Sequence, residues 1–340
     1  MENDTQPVDL PAVPDPTTLD EQGASGLHPH HAEQVASNIK ASVSDNTVRA
    51  YKSDIDDFNT WCQHYGYNPM PATPAVVAAY ISELVDPPDD RKALKPATID
   101  RRLAAIGRDH TTKRHKNPCS DEIVRTARIG LRKRNNVVQT RKTALSIDDL
   151  RAIIRLMDPD KPSHIRDKAI LLLGFTTAMR RSELAALTVD ELESHAKGLL
   201  VLKRRSKTDQ EAEGKHIEVG YGKYPETCAV LATREWLNHA ALTSGPVFVP
   251  INKGGAIGEG HLSGRGIARI VKKYVAQIGH TAGDFAGHSL RRGFATEAAK
   301  KKVPDRIIAQ TTGHASTRSL DPYIADANKM EDPPNGYLDL

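Results

Sequence analysis

The sequence has little cysteine, few aromatic residues and no long apolar run. Its 340 residues include three cysteines, Cys62, Cys119 and Cys228, which lie far apart and form no Cys-x-x-Cys pair. This spacing argues against a disulfide framework and a thiolate zinc site. No apolar stretch approaches the roughly 18 residues that span a bilayer, and the acidic, proline-rich N-terminus is unlike a signal peptide. We therefore predict a cytoplasmic protein without a membrane segment.

Patterns for nucleotide and metal binding are also missing. No Walker A motif occurs, and the glycines between 254 and 266 follow no predicted strand and have the wrong spacing for a dinucleotide fingerprint. His28, His30 and His31 have no carboxylate or cysteine at ligand spacing, so we interpret them as part of a polar tail. The sequence thus predicts a protein that uses no cofactor and no metal.

Charge is unevenly distributed, although the formal net charge is only +4. Residues 1–33 hold seven acids and no lysine or arginine, whereas residues 91–142 hold sixteen bases against four acids. Such a basic segment predicts a surface for a polyanion such as nucleic acid. A solvated helix face is the alternative explanation for a charge run of this kind.

Length and composition predict two domains. We expect a disordered acidic tail over residues 1–34, a helical bundle over 35–135, a linker over 136–145, a second domain over 146–324 and a C-terminal tail over 325–340. The predicted fold class is mainly α, with a small antiparallel β-sheet in the second domain.

Apolar periodicity and capping residues predict the helices of the bundle. Apolar residues from Val48 to Tyr65 recur at spacings of three and four, and Gly66 is a helix stop. Thr73 followed by Pro74 is typical of a helix start. Two more helices are predicted, one around Ile99, Leu103 and Ile106 and one that begins at Ser120.

The second domain has its own start signals. Ser146 and Asp149 predict a capping box. The short β-like runs 199–203 and 216–219 flank a polar turn and predict a hairpin. Further helices are predicted at about 147–157, 164–176, 181–187, 226–241, 262–278, 289–301 and 304–311.

Bases on the third and fourth helices of the bundle predict a surface that contacts DNA. Each helix has apolar residues on one face and bases elsewhere, so lysine and arginine are placed to neutralise phosphates. The predicted DNA-binding residues, which extend into the linker, are Lys95, Arg101, Arg102, Arg108, Arg128, Arg132, Arg141 and Lys142.

Four segments of the second domain contain residue types that act on phosphates. They are FTTAMRRSELAALTVDEL (175–192), RRSKTDQ (204–210), GHSLRRGFAT (287–296) and TTGHASTRSLDPYI (311–324). Each has a structural explanation when taken alone. Arg180 and Glu183, for example, have the spacing of an i,i+3 helix ion pair.

Together, these segments resemble the catalytic set of the tyrosine recombinase (phage integrase) family, with a layout similar to its Cre-like branch. The family pattern is an arginine in T-G-x-R-x-S-E-L, a hairpin lysine, H-x-x-R, and G-H or G-W with a tyrosine nine residues later. This sequence has TAMRRSEL, HSLR, and nine residues from His314 to Tyr323. It departs from the pattern at Ala178, where the family has glycine, and at Arg292, where many members have a second histidine.

The resemblance implies DNA cleavage without metal or ATP. Tyr323 is expected to attack a phosphodiester and keep its energy in a 3′-phosphotyrosyl bond. Lys207 is expected to protonate the departing 5′ oxygen. His288 is expected to accept the tyrosine proton, because imidazole has a suitable reference pKa.

The resemblance also implies how the phosphate is held. Arg180 and Arg291 are expected to bind its nonbridging oxygens, since a guanidinium stays charged and donates two parallel hydrogen bonds. His314 is expected to add a donor. Glu183 is expected to orient Lys207 or His288.

The expected enzyme is a site-specific DNA recombinase that forms a two-domain clamp on double-stranded DNA. The family's chemistry implies a homotetramer on two DNA sites that passes through a Holliday junction, and accessory proteins are compatible with it. Two alternatives stay open at this point. One is a type IB topoisomerase-like DNA-relaxing enzyme, and the other is a DNA-binding protein of the same fold without catalysis.

Overall fold

The computed structural model describes residues 28–41, 43, 45–88, 91–135, 142–203, 214–314 and 316–327. The chain divides into two compact units, Met1–Gln139 and Thr140–Leu340. Several predictions lie outside the described residues, namely those on Lys207, on Arg141, on most of the acidic tail and on most of the C-terminal tail.

The described part of unit 1, Met1–Gln139, consists mainly of helices packed around an aromatic and aliphatic core. The side chains of Phe58, Tyr80, Ile81 and Ile106 are almost completely buried in it. The helices described in this unit are α1 (Pro29–Ala41), α2 (Asp45–Tyr65), α3 (Pro74–Val85), α4 (Pro96–Thr112) and α5 (Glu122–Asn135).

The ends of α2 and α3 follow the predicted signals. Gly66 has a φ of +72° just after α2. The N–H groups of Tyr67 and Gly66 donate to the carbonyls of Cys62 and Gln63 at 2.9 and 3.3 Å, which is the Schellman arrangement. Thr73 caps α3 through its side-chain oxygen.

Three details of unit 1 differ from prediction. Residues 29–34, which we assigned to the disordered tail, belong to helix α1. This helix begins at Pro29, and proline is well suited to the first turn of a helix. The predicted helix start at Ser120 is wrong by two residues, since Ser120 ends a 3-10 turn and Asp121 caps α5. Val48 and Tyr65, which belong to the predicted apolar stripe, are exposed in the first and last turns of α2.

The described part of unit 2, Thr140–Leu340, is mostly helical. Ser146 and Asp149 form the predicted capping box, with reciprocal backbone-to-side-chain hydrogen bonds of 3.0 and 3.1 Å. Its described helices are α6 (Ile147–Arg155), α7 (Pro162–Thr176), α8 (Arg181–Ala186), α9 (Ala229–His239), α10 (Gly264–Gln277), α11 (His288–Lys300), α12 (Asp305–Thr312) and α13 (Asp321–Ala327).

The core of unit 2 surrounds α7, which packs against α9 and α11. The run Ile170–Phe175 is buried on all sides. A Cβ at Gly293 of α11 would lie 2.1 Å from the carbonyl oxygen of Leu145, so only glycine allows this approach. The close packing fixes the position of α11, which carries two of the predicted site residues.

A three-stranded antiparallel sheet lies in the same unit, in the order β1 (Leu192–His195), β2 (Gly198–Lys203) and β3 (Lys215–Gly220). The β2–β3 pair is the predicted hairpin, with Lys203 opposite Lys215. β1 was not predicted, because three of its four residues are polar and exposed and the strand shows no alternation. The predicted fold class, mainly α with a small antiparallel sheet, is confirmed.

Candidate active site

The first arginine of the predicted set lies at the turn between α7 and α8. Ala178 in this turn is fully buried and has a φ of +48°, in the left-handed region that favours glycine. Arg180 is the residue that precedes α8. Its backbone N–H and its Nη1 donate to the two carboxylate oxygens of Glu183 at 2.8 and 2.7 Å. Glu183 therefore fixes both the backbone and the guanidinium of Arg180.

The Glu183 carboxylate also holds a lysine that sequence reasoning missed. Lys203 Nζ lies 3.1 Å from Glu183 Oε2, and both side chains are largely buried. Burial alone would raise the pKa of Glu183, but the hydrogen bonds from Arg180 and the charge of Lys203 lower it overall. The contacts described for Glu183 are thus with Arg180 and Lys203. Its predicted partner Lys207 lies outside the described residues.

Arg291 of α11 connects the α7–α8 turn to a histidine. Its side chain is buried, Nη1 donates to the carbonyl oxygen of Ala178 at 3.1 Å, and Nη2 lies 3.1 Å from Nε2 of His314. Burial and the nearby charge of Arg180 lower the pKa of Arg291. The two predicted arginines consequently meet at one short turn.

The hydrogen bonds of His314 define its tautomer. A guanidinium has only donors, so Nε2 of His314 accepts from Arg291. Nδ1 lies 2.9 Å from the Thr312 hydroxyl oxygen, whose own proton is donated to the carbonyl of Ile308 at 2.6 Å. Nδ1 therefore carries the proton. Burial and the charges of Arg291 and Arg180 lower the pKa of His314 to about 4, so the ring is neutral at pH 7.

Tyr323 lies on α13, beside the histidine. The rings of Tyr323 and His314 stack with centroids 5.9 Å apart and an interplanar angle of 29°. Arg292 of α11 forms an ion pair with Asp326 of α13 and donates to the carbonyl oxygen of Lys142 at 2.8 Å. The ion pair ties the helix of the predicted nucleophile to the helix of Arg291, a role that the sequence did not reveal.

His288 is the first residue of α11 and is more exposed than the other described residues of the predicted catalytic set. Partial desolvation lowers its pKa, and the charges of Arg181, Arg291 and Arg180 lower it further. Its imidazole is therefore neutral near pH 7 and able to accept a proton. The hydrogen bonds found among the described residues do not join it to Tyr323.

Four of the predicted DNA-binding arginines form ion pairs within unit 1. Arg102 is mostly buried in a network of acids and a tyrosine hydroxyl, which makes it part of the bundle's interior. The pairs are Arg101 with Asp54 at 3.0 Å, Arg102 with Asp57, and Arg128 and Arg132 with Asp100 at 2.6 and 2.5 Å.

The other described members of that set have different surroundings. Lys95 is exposed at the start of α4. The Arg108 guanidinium lies over the ring of Tyr51, 5.8 Å from its centroid. Lys142 donates from Nζ to the carbonyl of Gly283 at 2.5 Å.

The described part of the chain holds no group of three or more histidine, cysteine, aspartate or glutamate side chains suited to a metal ion. None of the described helices has the length and apolar character needed to cross a membrane.

The chain matches two family patterns. The phage integrase family matches residues 143–330, and the phage integrase N-terminal SAM-like domain matches residues 38–112. The chain belongs to the phage integrase family. The enzyme class predicted from its motifs, a tyrosine site-specific recombinase, is confirmed.

Among curated relatives, the chain is 38% identical over 298 residues to an integrase/recombinase xerD homolog of Selenomonas ruminantium, covering 86% of this chain and 85% of the relative. It is 26% identical over 286 residues to the tyrosine recombinase XerC of Thermodesulfovibrio yellowstonii, covering 84% and 87%.

Two solved structures share the fold. The XerH site-specific recombinase bound to palindromic difH substrate in a post-cleavage complex matches with a TM-score of 0.60 at 14% identity, covering 89% of this chain and 81% of that one. A lambda integrase dimer bound to a COC′ core site matches with a TM-score of 0.56 at 16% identity, covering 86% and 92%. At these identities, the likeness concerns the fold alone.

Proposed function

We propose that this recombinase binds double-stranded DNA and cleaves it with Tyr323 as the nucleophile. The observation that carries the proposal is the linked set of contacts in unit 2. Arg291 donates to the carbonyl of Ala178, two residues before Arg180, and it also contacts His314, which stacks on Tyr323. A phosphate beside this cluster would face two guanidinium groups, one imidazole and one phenol.

The proposed reaction conserves the energy of the phosphodiester. The phenol oxygen of Tyr323 attacks phosphorus, the bond from phosphorus to the 5′ oxygen breaks, and a 3′-phosphotyrosyl bond forms. The phenol proton passes to His288, whose lowered pKa keeps it neutral and ready to accept. Lys207 supplies the proton to the departing 5′ oxygen. Attack by the 5′ hydroxyl of a second strand reverses the steps, so neither ATP nor metal is used.

Arg180 and Arg291 stabilise the negative charge that develops on the nonbridging oxygens. Guanidinium groups suit this task because they stay charged and present several donors in one plane. His314 adds its Nε2–H once the ring is protonated beside the phosphate. Glu183 is a positioning residue that sets the orientation of Arg180.

The DNA partner and the assembly extend this proposal. XerH and lambda integrase are described as DNA complexes, and the basic helices of unit 1 suit the same polyanion. We assign DNA binding to residues 35–135, catalysis to residues 146–324, and the linker to 136–145. Because each protomer supplies one Tyr323, exchange of four strands requires a homotetramer on two DNA sites. The reaction would take place in the cytoplasm.

Covalent trapping tests the proposal. The purified chain is incubated with DNA fragments of the replicon that encodes it, quenched with SDS, and compared with Tyr323→Phe. Tyr224→Phe is the matched control, because Tyr224 is an exposed tyrosine of the same unit. We expect the wild type and Tyr224→Phe to form an adduct at one discrete sequence and Tyr323→Phe to form none.

Other outcomes would favour the alternatives. Adducts scattered over all DNA would indicate a type IB topoisomerase-like activity, although the relatives named above are recombinases. Tight DNA binding without adducts, even on nicked substrates that prevent religation, would indicate a non-catalytic DNA-binding protein. An adduct retained by Tyr323→Phe would overturn the assignment of the nucleophile.

A further inference from the structure

Lys203 is a buried lysine to which the proposed reaction assigns no role. It is the last residue of β2, and its side chain is 6% exposed. Lys215, directly opposite on β3, is exposed. Burying an ammonium group is costly unless it is paired. The lysine that closes the apolar run LLVLK therefore calls for an explanation beyond sheet packing.

The ammonium lies between two parts of the candidate site. Nζ is 3.1 Å from Oε2 of Glu183, in the first turn of α8. It is also 3.2 Å from the position that a Cβ at Gly313 would occupy, and Gly313 directly precedes His314. With a φ of +67°, Gly313 ends α12 in the left-handed conformation. Lys203 thus pairs with the element of Arg180 and lies beside the turn that precedes His314.

The charges around Lys203 link it to the phosphate site. Burial lowers its pKa, Glu183 raises it, and the charges of Arg291 and Arg180 lower it further. Glu183 accepts hydrogen bonds from Arg180 and is also paired with Lys203. If Lys203 were neutral, Arg180 would be the one positive charge paired with the Glu183 carboxylate. The guanidinium would then offer less of its charge to an incoming phosphate.

We propose that Lys203 is a positioning residue for strand cleavage. Its ammonium shares the charge of Glu183, so that the Arg180 guanidinium is oriented toward the phosphate without being neutralised by the carboxylate. The same ammonium supports the turn that presents His314. This inference rests on the proposed function, in which Arg180 and His314 contact the scissile phosphate. It gives Lys203 a role distinct from that of Lys207, the proposed proton donor.

Single-turnover cleavage of a nicked DNA substrate tests the role. We expect Lys203→Met to slow cleavage about 10- to 100-fold, the effect of losing one charge-assisted contact. Lys203→Arg keeps the positive charge and should recover most of the rate. Lys215→Met, the matched control on the facing strand, should cleave like the wild type. DNA affinity, measured in a Tyr323→Phe background, should change by less than about threefold.

A double-mutant cycle asks whether Lys203 acts through Glu183. In a Glu183→Gln background the carboxylate charge is already gone, so Lys203→Met should cost less than about threefold. The double variant removes both members of the buried Lys203–Glu183 pair, so neither of these two charges is left without the other. Equal losses in both backgrounds would overturn the proposed coupling.

A substrate with sulfur in place of the bridging 5′ oxygen separates positioning from proton donation. The thiolate leaves without needing a proton, so a defect in a general acid is rescued on this substrate. We expect rescue of Lys207→Met and no rescue of Lys203→Met. Rescue of Lys203→Met would show that Lys203 acts in proton transfer and would overturn the proposed role.

The failure of this inference is distinct from that of the proposed function. If the wild type forms no adduct with DNA, the proposed function is wrong and the role of Lys203 falls with it. If the wild type cleaves and folded Lys203→Met cleaves at the same rate, only the role of Lys203 is wrong. Thermal unfolding of each variant shows which proteins are folded.

Discussion

The Nη2 atom of Arg291 lies 3.1 Å from Nε2 of His314, and this contact makes the histidine an acceptor in the structure described here. The proposed mechanism needs the same nitrogen as a donor to phosphate. Because Nδ1 already carries a proton directed at Thr312, His314 becomes a donor at Nε2 by gaining a second proton. The arginine therefore sets the protonation state from which the reaction starts.

DNA binding should take up a proton at His314. The phosphate adds negative charge beside a ring whose pKa is lowered to about 4, so its pKa rises in the complex. Calorimetric titration of Tyr323→Phe with target DNA at pH 6, in buffers of different ionisation enthalpy, should reveal proton uptake that His314→Gln reduces. Identical uptake by the two proteins would contradict the assignment.

The stability of unit 2 should depend on pH through the same residue. The pKa of His314 is about 4 in the folded chain and about 6.5 when unfolded, so the unfolded state binds more protons between these values. The free energy of unfolding should fall as pH decreases from about 6.5 to 4, by on the order of 1–3 kcal/mol. Denaturant unfolding of the wild type should show this loss, and His314→Gln should show less of it.

The ion pair of Arg292 with Asp326 should set the rate of cleavage through the position of α13. Arg292→Ala frees the helix that carries Tyr323 from α11, and we expect about 10-fold slower cleavage from the lost alignment. Asp326→Asn should have a similar effect, and the double variant should add little to it. Lys300→Ala, at an exposed position of α11, is the control. Wild-type rates in Arg292→Ala would contradict the positioning role.

Gly313→Ala should affect both stability and activity, whereas Gly245→Ala should affect stability alone. Each glycine has a positive φ, so alanine costs roughly 1–2 kcal/mol at either position. A Cβ at Gly245 meets no atom within 4 Å, while one at Gly313 lies 3.2 Å from Lys203 Nζ. Thermal unfolding and cleavage rates of the two variants make the comparison. Equal cleavage rates would indicate that the Lys203 contact is unimportant.

Lys95 and Arg102 should behave differently in DNA binding, although both were predicted to contact phosphates. Lys95 is exposed, so Lys95→Ala should lower the dependence of log affinity on log salt by about 0.9 per lost phosphate contact. Arg102 pairs with acids inside unit 1, so Arg102→Ala should destabilise the bundle. Affinity measured over a salt series, with melting curves for both variants, separates the two roles. An unchanged salt slope in Lys95→Ala would remove it from the interface.

Local chemistry explains why much of the fold was predictable. Gly66, Thr73 and the Ser146–Asp149 pair are end signals that act within one helical turn, so neighbouring residues are enough to identify them. Ser120 misled the prediction because Asp121 competes for the same capping role and prevails. β1 was missed because its pairing with β2 comes from tertiary contact rather than from a pattern of its own.

The site was predictable where motifs determine it and not where distant residues meet. Arg180, Arg291, His314 and Tyr323 were identified through the resemblance of their segments to the family's motifs, and the structure brings their elements together. The contact of Lys203 with Glu183 joins residues twenty positions apart through the end of a strand, which no local pattern encodes. The lysine at the close of an apolar run was the one available signal.

The turn at Ala178 makes the geometry of the candidate site depend on a completely folded core of unit 2. The carbonyl that receives Arg291 belongs to the segment that leaves α7, and α7 is surrounded by the core. A chain still emerging from the ribosome, or one damaged and partly opened, carries the same tyrosine but lacks the anchored Arg291 that contacts His314 beside it. A strand-breaking enzyme built in this way would be harmless to the genome until it has folded completely.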